Sequence, residues 1–182
     1  MRTEKFTLIR PLIHPVMKPD EAPLGYLIRV AERNGYKNYR WLASGDGRSF
    51  YVKSYHRLYR ILAREDWTGC NLNTPAISEA LSLNLGYFIS RKLRFCTMCI
   101  KELGYYKIEW QLRASVACKE HGIWLRDCCH RCGRAVEMGD SSISKCPGGA
   151  DITEADTENV SADVILMQRF LSGTYKVMKG EP

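Results

Sequence analysis

Apolar positions in the first half of the chain follow the spacing of amphipathic helices. The clearest case lies in residues 19–35, where four apolar residues fall at positions i, i+3, i+4 and i+7: Leu24, Leu27, Ile28 and Ala31. Pro23 suits a first helical turn, and Asn34 followed by Gly35 is a common stop signal. The pattern therefore predicts a short helix that starts at Pro23 and stops at this pair.

Three further helices are indicated downstream. They cover residues 38–44, 54–64 and 74–83, and Gly45 and Gly47 break the chain after the first of them. Several short helices with tight breaks are typical of a small all-α domain. This arrangement is compatible with a helix-turn-helix fold.

Beyond residue 95 the pattern changes to short runs of strand-forming residues. Residues 107–112 and 122–125 predict two strands of a small ribbon, and we expect Trp110 and Trp124 to fill its core. Regular structure is therefore sparse in this part of the chain.

The end of the chain combines an acidic stretch with a final helix. Residues 151–161 are poor in apolar side chains, a composition typical of a flexible linker. Ser161 can cap a helix from Ala162 to Ser172. Val164, Met167, Gln168 and Leu171 fall on one line of this helix, with Ile165 and Phe170 beside it, and two interpretations are open: the helix folds back on the core or docks on a partner.

Cysteine is unevenly distributed along the chain. Seven of the eight cysteines lie within residues 96–146, and Cys70 stands apart. The first residues scatter charges where a secretory signal has an apolar run, and no stretch approaches the roughly 18 apolar residues of a membrane helix. We therefore expect an untargeted cytoplasmic protein. Its thiols stay reduced, so paired cysteines are interpreted as metal ligands and not as disulfides.

One set of ligands is complete in the sequence. It consists of Cys96, Cys99, Cys118 and His121, in the pattern Cys-x-x-Cys and Cys-x-x-His. Two intervening residues let a tight turn aim both side chains at one ion, and three thiolates with one imidazole favour Zn²⁺. Because the protein fills all four positions, a structural zinc site is predicted.

A second set is incomplete. Cys129 and Cys132 form another pair, but their partner segment supplies only Cys146 as a certain thiol. Cys128 and His130 flank the pair, and Asp151 is an alternative oxygen donor for the fourth position. The sequence therefore leaves two interpretations open, a second zinc site with an unidentified ligand and a metal-free ribbon.

Basic residues are concentrated in the first half. Residues 1–95 hold 16 basic and 8 acidic side chains, whereas residues 147–182 hold 3 and 6. A basic surface favours contact with phosphate backbones. The candidate nucleic-acid contacts are Arg57, Arg60, Arg64, Arg91, Lys92 and Arg94. The first three share a face of one predicted helix, and a solvated helix face is the alternative interpretation.

Motifs of catalytic sites are absent from the sequence. There is no Gly-rich phosphate loop, no dinucleotide-binding fingerprint, no nucleophile elbow and no zinc-deaminase signature. We therefore expect a protein that is not an enzyme.

Several motifs in order resemble the TniQ/TnsD family of transposition target-selection proteins. The matching blocks are Pro-x-x-x-Pro-Leu-x-x-Leu-Ile-Arg-Val-Ala-x-x-Asn-Gly from Pro19, Phe95-Cys-x-x-Cys, Trp110-Gln, Cys118-x-x-His-Gly and Cys129-x-x-Cys-Gly. The resemblance spans roughly residues 8–150. It implies a mainly α fold with small β, in which 1–94 is a helix-turn-helix-like domain, 95–150 a tandem zinc-ribbon region and 151–182 an acidic linker with a C-terminal helix.

The resemblance also implies a function. Such proteins are non-catalytic adaptors in Tn7-like DNA transposition, and some belong to CRISPR-associated transposons. They link target DNA, or an RNA-guided CRISPR effector complex, to an AAA+ ATPase regulator of the TnsC/TniB kind, at the nucleoid in the bacterial cytoplasm. Mapped onto this chain, the family's first zinc site falls on Cys96, Cys99, Cys118 and His121, and three ligands of its second fall on Cys129, Cys132 and Cys146.

Two departures accompany this resemblance. A second cysteine is expected near Gly148 and is not there. Many relatives are also longer, whereas the short forms of single-effector CRISPR transposons are similar to this chain in length. The alternative from another functional class is a zinc-ribbon and helix-turn-helix transcription regulator that recognises DNA by itself.

Overall fold

A computed structural model describes residues 8–42, 58, 61–62, 64–69, 93–136 and 142–178, with side chains described up to residue 171. The α-helices in these residues are α1 (Pro23–Arg33), α2 (Thr97–Leu103) and α3 (Ala162–Met178). One antiparallel pair of strands, β1 (Ala117–Cys118) and β2 (Ile123–Trp124), forms the sheet of this part of the chain. The expected class, mainly α with small β, is confirmed for the described residues.

Short 3₁₀ helices connect these elements. They cover Tyr39–Leu42, Asp66–Thr68, Ile108–Gln111 and Ile152–Glu154. In β1 and β2, Ala117 pairs with Trp124 and Cys118 with Ile123. The sheet therefore places a cysteine at the end of its first strand, beside the turn that leads into the second.

The predicted first helix is confirmed as α1. It starts at Pro23 and is capped by Asn34, after which Gly35 adopts a left-handed φ of 67°. Every residue from Pro23 to Ala31 is buried. The helix is thus covered on all sides and not only along its apolar stripe.

A buried ion pair fastens the start of α1. Arg29 donates to both carboxylate oxygens of Glu21, at 2.8 and 2.6 Å, and to the carbonyl of Val16 at 3.1 Å. The same carboxylate accepts the Lys18 N–H at 3.0 Å. Both charged side chains are almost completely buried. Their hydrogen bonds therefore compensate the cost of removing the two charges from water.

Helix α1 packs directly against the region that carries the cysteines. A Cβ at Gly25 would lie 3.0 Å from the Cβ of Tyr106, so this close approach requires glycine. The Ala22 N–H donates to the carbonyl of Tyr106 at 2.7 Å, and the Ile108 N–H donates to the carbonyl of Asp20 at 2.8 Å. One hydrophobic cluster accordingly runs across the expected boundary at residue 94.

Two expectations for the ribbon are wrong. Residues 107–112 were expected to form a strand, but Ile108–Gln111 is a 3₁₀ helix. This turn directs Trp110 into the core, where it is 1% exposed. Trp124 was expected in the core as well, yet it is 39% exposed because its strand has only one buried face.

The acidic segment is not a free linker. The Trp124 N–H donates to the carbonyl of Glu158 at 3.0 Å, and the Val160 N–H donates to the carbonyl of Gly122 at 2.9 Å. Asn159 forms a bridge with Ile123, so the segment lies along β2. The composition indicated a linker because the segment has few apolar side chains. Backbone hydrogen bonds, which need no apolar side chain, nevertheless hold it along β2.

The final helix is confirmed and is longer than expected. Gln168, 3% exposed, is its central contact: the side-chain oxygen accepts the N–H of Val116 at 3.0 Å, and the amide donates to the carbonyl of Ala114 at 3.2 Å. Val164, Ile165 and Leu171 are half-buried beside it, so this side of the helix folds back on the core. Met167 and Phe170 instead face solvent.

The other predicted helices are only partly described. Residues 38–44 contain the 3₁₀ helix Tyr39–Leu42, and Leu58, Ile61 and Leu62 of the segment 54–64 are helical and buried. Residues 74–83 lie outside the described residues. The helix-turn-helix arrangement therefore stays a prediction. No helix in the described part of the chain is long and apolar enough to cross a membrane.

We predict that Arg29→Met lowers the free energy of unfolding by about 3–5 kcal/mol, because it leaves the Glu21 carboxylate buried without its cation. The double variant Glu21→Gln with Arg29→Met should recover part of this loss, since the amide is neutral. Urea unfolding followed by tryptophan fluorescence measures both. Arg33→Met, the same exchange at an exposed site of α1, should cost less than about 0.5 kcal/mol. An equal loss for the single and the double variant would contradict the role of the ion pair.

Candidate metal centre

Four side chains of the first predicted set converge. Nδ1 of His121 lies 3.5 Å from Sγ of Cys96, 3.2 Å from Sγ of Cys99 and 3.6 Å from Sγ of Cys118. The sulfurs of Cys99 and Cys118 are 3.7 Å apart. The three cysteines are buried and the histidine is half-buried.

These distances fit a tetrahedral zinc site. With Zn–S bonds of about 2.3 Å and Zn–N bonds of about 2.0–2.1 Å, tetrahedral ligands are separated by about 3.8 Å for two sulfurs and about 3.5 Å for sulfur and nitrogen. The observed separations of 3.7 Å and 3.2–3.6 Å are close to both values. The first cluster is thus compatible with zinc, as the spacing predicted.

Two local structures present the ligands. Cys96 is the N-cap of α2, and its sulfur accepts the N–H of Cys99 at 3.5 Å, so the first helical turn brings both thiols to one side. Cys118 ends β1, and His121 lies in the turn that follows. Gly122 closes that turn with a φ of 64° and donates its N–H to the carbonyl of Cys118 at 2.8 Å.

A carboxylate orients the histidine. Nε2 of His121 lies 3.1 Å from Oε2 of Glu102, a residue in the last turn of α2. Burial lowers the pKa of His121, but hydrogen bonds to Cys118 and Glu102 outweigh it and raise the pKa above its usual value. A carboxylate on the outer nitrogen fixes the ring so that the other nitrogen faces the metal. Sequence analysis missed Glu102, because α2 itself was not predicted.

Hydrogen bonds among the thiols shift their pKa values in opposite directions, and the pKa of Cys99 is raised by its bonds to Cys118 and Cys96. Hydrogen bonds from Cys118 and from Cys99 lower the pKa of Cys96 to about 3, which favours a thiolate at this position. Lys107 lies nearby and pairs with Glu120 at 3.0 Å. Burial lowers the pKa of Lys107, but the hydrogen bond and the charge of Glu120 outweigh this effect. The pKa therefore lies above its usual value, and the ammonium is retained.

The second cluster contains the three predicted thiols. The sulfurs of Cys129, Cys132 and Cys146 all lie within 4.8 Å of one another, and those of Cys132 and Cys146 are 3.9 Å apart. Cys129 and Cys146 are buried, whereas Cys132 is exposed. The geometry is compatible with a second metal ion, held by at least three thiolates.

None of the alternative fourth ligands joins this cluster in the described residues. Cys128, His130 and Asp151 have no donor atom that lies within 4.8 Å of all three sulfurs. Asp151 has another role, because its Oδ1 accepts the N–H of Thr153 at 2.8 Å and caps the 3₁₀ helix that starts at Ile152. The Thr153 hydroxyl donates to the same oxygen at 2.7 Å, and this bond is the main cause that lowers the pKa of Asp151, so Thr153 occupies this carboxylate oxygen.

The predicted nucleic-acid contacts are only partly visible. Arg57, Arg60, Arg91 and Lys92 lie outside the described residues. Arg64 is exposed. Arg94 donates its guanidinium to the carbonyls of Arg113 and Ser115, so it braces the backbone before β1. Burial lowers the pKa of Arg94. Sequence analysis did not predict this structural role, and DNA contact by Arg94 stays a prediction.

Comparisons with known proteins add no assignment. No family model matches the sequence, and no curated protein is significantly similar to it. The two clusters are therefore interpreted from their own geometry.

We predict that Glu102→Ala lowers the zinc affinity of the first cluster about 10–100-fold, because the His121 ring loses the carboxylate that orients it. Competition with a chromophoric chelator measures the affinity. Lys101→Ala changes an exposed neighbour on the same helix and should leave the affinity unchanged. An unchanged affinity in Glu102→Ala would show that packing alone orients the ring.

Proposed function

We propose that this protein is a zinc-stabilised, non-catalytic adaptor in Tn7-like DNA transposition. In this role it links target DNA, or a target-recognition complex such as an RNA-guided CRISPR effector, to an AAA+ ATPase regulator. The observation that carries the proposal is the first cluster, in which protein side chains supply all four donors. A donor set of this kind is typical of zinc that holds a binding surface together.

The motif behind the resemblance gives the proposal a second support. Residues from Pro19 to Gly35 build α1, which contacts the segment between the two ligand pairs through Tyr106. Asn34 secures the chain that precedes the helix, since its amide donates to the carbonyl of Ile13 at 2.6 Å and its oxygen accepts the N–H of Ile13 at 2.9 Å. The motif thus joins helical and cysteine-rich parts, as an adaptor with a fixed arrangement of surfaces requires.

The charge distribution supports a contact with DNA that is electrostatic. The first 95 residues carry twice as many basic as acidic side chains, 16 against 8. Such a surface binds phosphates without reading the sequence. Binding of DNA without sequence recognition is sufficient for an adaptor, because the target complex and the ATPase supply the specificity for the target site.

We predict weak binding of the full chain to random duplex DNA, with an affinity that falls as salt rises. Arg64→Ala should reduce the slope of log affinity against log salt by about 1, as expected for the loss of one phosphate contact. Arg169→Ala changes an exposed arginine in the acidic segment 147–182 and should leave the slope unchanged. Fluorescence anisotropy over a salt series measures both.

Two results would separate the proposal from its alternative. Selection from a random DNA library should give a best site bound less than about 10³-fold more tightly than random DNA, whereas co-sedimentation with filaments of the AAA+ regulator from the same transposon should retain the chain. A specificity ratio above about 10³ without binding to the filaments would favour a transcription regulator.

A further inference from the structure

Three turns of the cysteine-rich region are built alike. Each begins at a cysteine and ends at a glycine with a left-handed φ, and in each the glycine N–H donates to the carbonyl of that cysteine. The turns are Cys118–Gly122, Cys129–Gly133 and Cys146–Gly149, with N···O distances of 2.8, 2.9 and 2.8 Å and glycine φ values of 64°, 65° and 81°.

The residue before the closing glycine is a ligand in two of these turns. It is His121 in the first turn and Cys132 in the second. In the third turn, which is one residue shorter, the same place is taken by Gly148. By comparison with the other two turns, position 148 is where a fourth ligand would stand.

The geometry around Gly148 agrees with this comparison. A Cβ at this position would lie 3.5 Å from Sγ of Cys146 and 3.8 Å from Sγ of Cys132. A side chain there would thus stand directly beside two of the three sulfurs. Glycine has no donor atom to offer, and Cys132 is exposed, so small molecules can approach this side of the cluster.

We propose that the second cluster is an open metal site, in which three thiolates bind zinc and Gly148 leaves the fourth coordination position to a monodentate donor from outside the chain. Water takes this position in the isolated protein, and an imidazole or a thiolate replaces it. Zinc with three protein ligands ordinarily completes its tetrahedron in this way. The first cluster is closed, so the two sites differ in function. The inference depends on metal binding and not on a role in transposition.

Cobalt(II) in place of zinc tests this proposal in the full-length chain. Cobalt reports its donors through visible absorption, and subtraction of the spectrum of Cys146→Ser isolates the second site. Addition of imidazole or 2-mercaptoethanol should shift the ligand-field bands of the wild-type second site. The first site, which remains in Cys146→Ser, should not respond.

Two variants at one position sharpen the test. Gly148→Cys should make the second-site spectrum insensitive to both probes and raise its sulfur-to-cobalt charge-transfer intensity by about one third, as three thiolates become four. Gly148→Ala adds the Cβ without a donor, so it should keep the wild-type intensity and the response to imidazole. If Gly148→Cys fails to fold, the response of the wild-type second site to imidazole and 2-mercaptoethanol still tests the proposal.

Three results would overturn the proposal. They are a second site that takes up no cobalt, a wild-type spectrum insensitive to both probes, and an unchanged charge-transfer intensity in folded Gly148→Cys. Glu137 and Asp140 lie between Cys132 and Cys146 in the sequence and outside the described residues, and a changed spectrum in Glu137→Gln or Asp140→Asn would also overturn the proposal, because it would assign the fourth position to this chain. None of these measurements involves transposition, so they stand apart from the test of the proposed function.

Discussion

The convergence of Cys96, Cys99, Cys118 and His121 on one point is the constraint on which the cysteine-rich region depends. Around it the chain forms a helix of seven residues and two strands of two residues each. Elements this short do not hold together by hydrogen bonds and apolar burial alone. A metal ion bound by these four side chains would join the start of α2 to the turn after β1 and would add to the folding free energy, since binding and folding are coupled in such modules. Helix α1 packs on the segment between the two ligand pairs through Tyr106, so the helical part and the cysteine-rich part share one hydrophobic core.

Much of this arrangement could be predicted from local sequence. The spacing of the ligands identified both clusters, because two residues between donors have few ways to turn back on one ion. Helix α1 was predictable from its stripe, its proline and its closing glycine. The ligand spacing and the helix signals each depend on residues close together in sequence, and the tertiary structure keeps the local conformations that they predict. The resemblance to a transposition family adds a function to this picture, and it remains a proposal.

The features that sequence analysis missed depend on distant partners. Ile108–Gln111 turns because Trp110 enters a core that is built mostly from other segments, and Asn159 lies along β2 through backbone groups that any residue carries. Glu102 reaches His121 only after α2 has formed. Gly148 is understood only when its turn is compared with the two ligand turns of the same structure. In each case the decisive contact is remote in sequence.

Native mass spectrometry of the full chain, before and after mild acid, tests the central claim most directly. The account predicts two zinc ions per folded chain, with zinc release and a shift to the charge states of an unfolded protein when the ligands take up protons. A compact chain that contains no zinc, and whose charge states do not change in mild acid, would contradict the claim that metal binding holds this fold together.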